Sequence, residues 1–239
     1  MKKNRKRGII FGGILCLLIV IAVFLLRPMY EQSKMNPIET KKVNRTVFSI
    51  NNGFVNCYAV RTKNGYVLVD AGDDSEATLN ALKDLGIKPE EIKGILLTHT
   101  DGDHIASLSE FKDVPIYLGE NEVQMIDGTT KRNLFSSNEV NSDYITVKDE
   151  ESFVIDGTVV TCYNTPGHTL GSVSYLVNEN HLFVGDSLSI KENKVELFNS
   201  YFNMDDTLQR ESKKKIKQID ADTIYTGHYG VAKKNGLRF

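Results

Sequence analysis

Apolar residues run without a charge from position 8 to 26 (GIIFGGILCLLIVIAVFLL), followed by a long stretch of much shorter apolar and polar alternations. At about 1.5 Å per residue, 19 helical residues reach roughly 28 Å, close to the hydrocarbon thickness of a bilayer. The basic cluster MKKNRKR precedes the run, and RPMYEQSK after it offers no small-residue cleavage site. The run also exceeds the usual signal-peptide core of about 7–15 residues, so the pattern predicts an uncleaved anchor. The excess of cations on its N-terminal side predicts a single-pass membrane protein with everything beyond Arg27 outside the cytoplasm. No small residue precedes Cys16, which argues against lipoprotein processing.

Past the anchor the pattern divides the chain into a basic segment (1–7), the anchor (8–26), a polar tether (27–45) and a body (46–239). In the body, 46–50 and 55–60 read as strands around an Asn51-Asn52-Gly53 turn, and 66–70 is an apolar strand ending in Asp-Ala-Gly. Helical spacing of Ala77, Leu79, Leu82 and Leu85 predicts a helix over 75–85, stopped by Gly86. A short buried strand over 94–98 runs into a polar loop. A helix over 105–111, a strand over 116–118 and a helix over 120–126 follow. Residues 127–143 lack periodicity and read as a long loop. Strands return at 144–147, 153–155, 158–164, 172–177 and 181–185, then a charged helix at 206–219 and a last strand at 222–225. Strands in antiparallel runs, later separated by helices, predict a layered α/β body with mixed sheets.

Composition narrows the function. With 41% apolar and 25% charged residues the chain is globular, not disordered. The net charge of −2 hides an asymmetry: the first 30 residues hold six cations and no acid, leaving the rest at −8. An acidic body does not favour long nucleic acids, which need basic surface, although a bound metal can supply positive charge locally. There is no serine nucleophile elbow, P-loop or dinucleotide-binding glycine pattern.

The chemistry gathers at strand ends. After 94–98 comes His99-Thr100-Asp101-Gly102-Asp103-His104, four metal-competent side chains within six residues. Thr165-Pro166-Gly167-His168 follows strand 158–164, Gly185-Asp186 closes 181–185, and Thr226-Gly227-His228 follows 222–225. Four of the five histidines therefore stand where layered α/β folds build sites.

This ordered set (Asp70, His99 to His104, His168, Asp186, His228), with NCYAV, VLVDAG, LLTHTDGDH, TPGHTLGSVSYLV, FVGDS and YTGHYG around it, resembles the metallo-β-lactamase superfamily. The resemblance implies a four-layer αβ/βα sandwich with two mixed β-sheets, here behind one N-terminal transmembrane helix. It implies two zinc ions, one held by His99, Asp101 and His168, the other by Asp103, His104 and His228, with Asp186 bridging and Asp70 orienting ligand loops. It also implies a hydrolase in which a metal-bound hydroxide attacks an ester, thioester, lactone, amide or phosphodiester of a small-molecule substrate. Asp103 and His104 are then the catalytic pair. Where the family usually has histidine this chain has Asp101, a harder ligand that raises the relative fitness of iron or manganese. An acid there resembles two branches: oxygen-reducing diiron proteins, and the extracellular domain of DNA-uptake channels. A phosphodiesterase or nuclease, and a non-hydrolytic iron-binding redox or binding protein, therefore stand as alternatives. TPGHTLGS resembles the hydrolase and glyoxalase branch instead.

Lesser features have open readings. Lys131 and Arg132 could meet an anionic group or be ordinary surface charge. Phe198, Tyr201 and Phe202 could line the site or pack in the core. Cys57 and Cys162 read as buried free thiols, with a disulfide open outside the cytoplasm. His181 is expected in an exposed hairpin turn, and Lys213, Lys214, Lys215 and Lys217 on a solvated helix face.

Overall fold

The computed structural model describes residues 18, 22–132 and 138–239. Two compact units divide the chain, 1–35 and 36–239. In the first, residues 22–32 form helix α1, and its side chains at Val23, Phe24, Leu25 and Leu26 are exposed. Most of the expected anchor, 8–26, lies outside the described residues. Among the described residues no helix is long and apolar enough to cross a membrane.

The body holds two mixed sheets. The first follows chain order: β1 (Lys41–Lys42), β2 (Val47–Asn52), β3 (Val55–Arg61), β4 (Tyr66–Val69), β5 (Ile92–Leu97), β6 (Ile116–Gly119) and β7 (Ile145–Val147). Its pairs are antiparallel up to β4 and parallel from there to β7. The second comprises β8 (Ser152–Ile155), β9 (Thr158–Asn164), β10 (Val173–Val177), β11 (His181–Phe183), β14 (Thr223–Tyr225) and β15 (Val231–Lys233). There, β11 and β14 pair in parallel and the other pairs are antiparallel. A separate hairpin joins β12 (Leu188–Lys191) to β13 (Lys194–Leu197). The longer helices are α2 (Ser75–Asp84) and α5 (Asp206–Gln218), and single turns form α3 (Gly102–Ile105) and α4 (Val123–Ile126).

Side-chain alternation builds the layers. Along β3, Cys57 and Ala59 face outward to α2, while Tyr58 and Val60 face the second sheet; along β4, Tyr66 and Leu68 oppose Val67 and Val69 in the same way. Val160, Tyr175, Phe183 and Tyr225 meet them from the second sheet. On its far face Leu182, Val184 and Ile224 pack with Ile216 of α5. The order helix, sheet, sheet, helix is the one expected. Asp74 caps α2 by accepting from the Ala77 N–H, and Asp205 caps α5 by accepting from Thr207 and Leu208.

Several expectations need correction. Residues 36–45 are no free tether: they belong to the body, where β1 pairs with β2 and Ile38 exchanges hydrogen bonds with the Asn56 side chain at 2.8 Å. No helix spans the expected 105–111: α3 ends at Ile105, and only a single 3-10 turn forms at Leu108–Glu110. The N–H groups of Ala106 and Ser107 turn to the carbonyls of Gly72 and Ala71 and leave the helical ladder. His181 is the first residue of β11, paired with Val177, because the turn occupies 178–180. It is half-buried and bonds Thr46 and the Tyr225 hydroxyl. Cys57 and Cys162, by contrast, are the buried free thiols expected, with burial pushing Cys162 up to about 12.

Candidate metal centre

All seven expected ligands arrive at one end of the two sheets, each just past a strand: His99 to His104 after β5, His168 after β9, Asp186 after β11 and His228 after β14. Asp70 leaves β4 with φ at +59°, which folds its carboxylate back toward β5. There it accepts from the Thr98 N–H at 2.8 Å and binds Nδ1 of His104 at 2.9 Å.

The histidines are held by their inner nitrogens. Nδ1 of His228 meets the Phe54 carbonyl at 2.6 Å, Nδ1 of His99 meets the Thr98 hydroxyl at 3.1 Å, and Nδ1 of His168 faces Asn203 Oδ1 at 3.4 Å. Such partners fix the tautomer and aim Nε2 outward. Here Nε2 converges on carboxylates. Asp101 Oδ2 lies 3.1 Å from His168 Nε2 and 3.6 Å from His99 Nε2. Asp103 Oδ2 lies 3.7 Å from His104 Nε2 and 3.4 Å from His228 Nε2. Between these groups stands Asp186, with Oδ2 at 3.3 Å from His168 and 3.1 Å from His228, and Oδ1 at 3.5 Å from His104.

Three sets bring their ligand atoms within 4.8 Å of one another: His99, Asp101, His168; Asp103, His104, His228; and His99, His104, Asp186. His99 Nε2, His104 Nε2 and Asp186 Oδ1 are buried and have no hydrogen-bond partner. Buried polar atoms left unpaired in a folded protein cost about 1–3 kcal/mol each, so an arrangement that leaves three together fits a cation among them. Imidazole nitrogens with carboxylate oxygens are a donor set that zinc, iron and manganese all accept.

Charge is stacked accordingly. Burial disfavours charge on His228, but Asp186 and Asp103 outweigh it and raise its pKa to about 10. His104 moves up in the same way, burial being overcome by Asp186, Asp103 and Asp70. His168 goes the other way, held down at about 4 by burial and by Arg132. Burial likewise opposes the Asp101 and Asp186 anions, yet neighbouring histidines hold both well below the ordinary range.

Two features around the centre escaped sequence reasoning, and a third had been left open. Glu122, fully buried, accepts from the N–H and hydroxyl of Thr100 and from the Thr169 hydroxyl, tying the two ligand loops together. Gln209 of α5 donates to the Asp186 carbonyl and to Asn203 Oδ1. Arg132, which had two open readings, forms an ion pair with Asp101 and also donates to the Phe202 carbonyl. No spacing rule links these positions; they meet only through the sheet order. Lys131 instead lies near Gly128. Phe198 packs edge-on against His168 at 5.0 Å and lies 5.4 Å from His228; Phe202 lies tilted against Phe198, and Tyr201 meets Phe202 edge-on. The aromatic residues therefore form one wall of the centre.

Residues 50–228 match the family model of the metallo-beta-lactamase superfamily. The chain is 30% identical over 173 residues to a "probable metallo-hydrolase" of Methanocaldococcus jannaschii, spanning 72% of this chain and 74% of that one. It is 31% identical over 170 residues to a hydroxyacylglutathione hydrolase of Bartonella henselae, 69% of this chain but only 58% of that enzyme's length. Among solved structures, the B3 metallo-beta-lactamase BLEG-1 superposes with a TM-score of 0.64 at 26% identity, covering 80% of this chain and 95% of that one.

Proposed function

The chain belongs to the metallo-beta-lactamase superfamily and is a metallo-hydrolase, and on that premise we propose that it uses two zinc ions to cleave a small ester or thioester. The observation that carries this is Asp186, whose one oxygen is shared between a histidine of each half-site. His99, Asp101 and His168 would hold one ion, Asp103, His104 and His228 the other, and Asp186 both. Bound zinc supplies Lewis acidity and a water acidic enough to act near neutral pH. Asp103 has the most exposed of the three site carboxylates, with 22% of its side chain accessible against 15% for Asp101 and 3% for Asp186. It is thus placed to hold a proton and to orient the attacking water, with His104 fixed behind it by Asp70. Phe198 and its neighbours would cover the apolar part of the substrate. The thioester preference rests on the Bartonella relative, and the acidic body weighs against phosphodiesters of long nucleic acids.

The test is metal content and hydrolysis together. The full chain, purified without chelator or added metal, is expected to carry about two zinc ions, to hydrolyse an acylglutathione thioester, and to lose that activity on chelation. Zinc returned at neutral pH should release protons, because metal-free His228, with a pKa of about 10, is protonated there and only its neutral ring can bind. Affinity should then fall as the pH is lowered, by up to about tenfold per pH unit for each proton displaced. Calorimetry in buffers of different ionisation enthalpy reads that release directly. Bound iron without hydrolysis would replace this reading with the redox alternative.

We further infer that residues 8–26 anchor the enzyme in the cell membrane, with the body outside the cytoplasm. The uninterrupted apolar run and the exposure of Val23, Phe24, Leu25 and Leu26 (58–77%) support this. Protease added to intact cells should digest the body, and full protection would reverse the topology.

A further inference from the structure

The two half-sites differ in one respect. Asp103 and Asp186 form their ion pairs with histidines. Asp101 also carries a guanidinium: Arg132 Nε donates to Asp101 Oδ1 at 2.8 Å, and Arg132 Nη2 pairs with Oδ2. Asn138 adds a third donor to the carboxylate, at 3.2 Å from Oδ1. The oxygen that meets Nη2 is the same one that faces His168 and His99. Arg132 is itself fixed from the far side, where Nη1 donates to the Phe202 carbonyl. With only 19% of its side chain exposed, the ion pair is shielded from the screening that makes surface pairs weak.

A cation held by Asp101 would therefore lie beside a fixed positive charge and compete with it for one oxygen. The Asp101–Arg132 pair has no net charge, so this half-site would present to a metal the charge of three neutral ligands. The Asp103 half-site keeps its full anion.

We propose that Arg132 is a positioning residue that weakens the His99–Asp101–His168 half-site, making it the looser and more readily exchanged of two metal sites. The Asp103–His104–His228 half-site fills first. The proposal rests on the two-metal reading above and adds an order of filling and the residue that sets it.

The test is a zinc titration of the chelator-stripped full chain against a competing indicator chelator. The wild type is expected to bind two equivalents in two separated steps. Arg132→Gln, which removes the charge and leaves a shorter polar side chain, should tighten the weaker step about tenfold or more and leave the tighter one unchanged, since a unit charge within a few ångströms of a divalent ion dominates its local electrostatics. Arg132→Lys, which keeps the charge, should retain the separation. Two equivalent wild-type sites, or an Arg132→Gln protein whose weaker step is unchanged or weaker still, would overturn the proposal while leaving two-metal binding intact. Uptake of one equivalent or none by the wild type would instead overturn the two-metal reading itself.

Discussion

Asp186→Ala should lower metal-dependent hydrolysis by about a thousandfold or more and leave at most one zinc ion bound per chain. No other carboxylate of the centre touches histidines of both half-sites: its oxygens lie 3.1–3.5 Å from His104, His168 and His228. It is 4% exposed, and the Gln209 side chain holds its backbone carbonyl at 3.1 Å. Asp186→Asn separates charge from shape. The amide fills the same volume and keeps the backbone contacts, but it supplies one weak oxygen ligand where two anionic oxygens stood. It should fail nearly as badly, with the fold intact by circular dichroism. Elemental analysis and a thioester assay check both variants, and a variant keeping two zinc ions and wild-type rate would remove Asp186 from the bridging role.

Gly167→Ala should destabilise the protein by about 3 kcal/mol or more, measured by urea unfolding. Gly167 has φ at +136°, a conformation that side-chain-bearing residues scarcely adopt, and an added Cβ would stand 2.5 Å from the N, Cα and Cβ atoms of Gln209. Two of these are backbone atoms of α5 and the third is fixed to them, so relief requires the helix to move. Its movement would break the hydrogen bonds that Met204 and Asp205 donate to the Gly167 carbonyl and the Gln209 contact to Asp186. His168, the next residue, would move with it, so metal should be lost along with stability. Gly102→Ala is the contrast. It sits inside the His99–His104 motif, but a Cβ there meets nothing within 4 Å. Its cost should stay near that of an ordinary surface change, about 0.5 kcal/mol.

The metal-competent residues were legible because each lies at a strand end within a short word of sequence, and because strand alternation is a local signal. The contacts that hold them were not, even where a partner such as Asp70 had been singled out. Asp70 and His104 are 34 positions apart, Arg132 and Asp101 are 31, and Gln209 and Asp186 are 23. Only the order of strands in the sheets brings each pair together. The β12–β13 hairpin was missed for a local reason. Its two-residue turn, Glu192-Asn193, has both φ angles positive, at 49° and 60°, where Asn-Gly is the usual signal, and glutamate in first place conceals it. Strand β15, Val-Ala-Lys, is three residues long and has one branched apolar residue, so neither an apolar run nor alternation marks it.

The segment from Asn36 to β1 has a mechanical meaning. Asn36 donates to the carbonyl of His228 at 2.9 Å, and two residues on Ile38 is gripped by Asn56 and Asn51. Tension entering the body along the chain from residue 35 therefore loads the His228 loop before it reaches either sheet. The paired strand β1 follows only at Lys41. The segment by which the chain enters the body and the candidate metal centre are thus joined directly, through one backbone hydrogen bond to the carbonyl of a ligand residue.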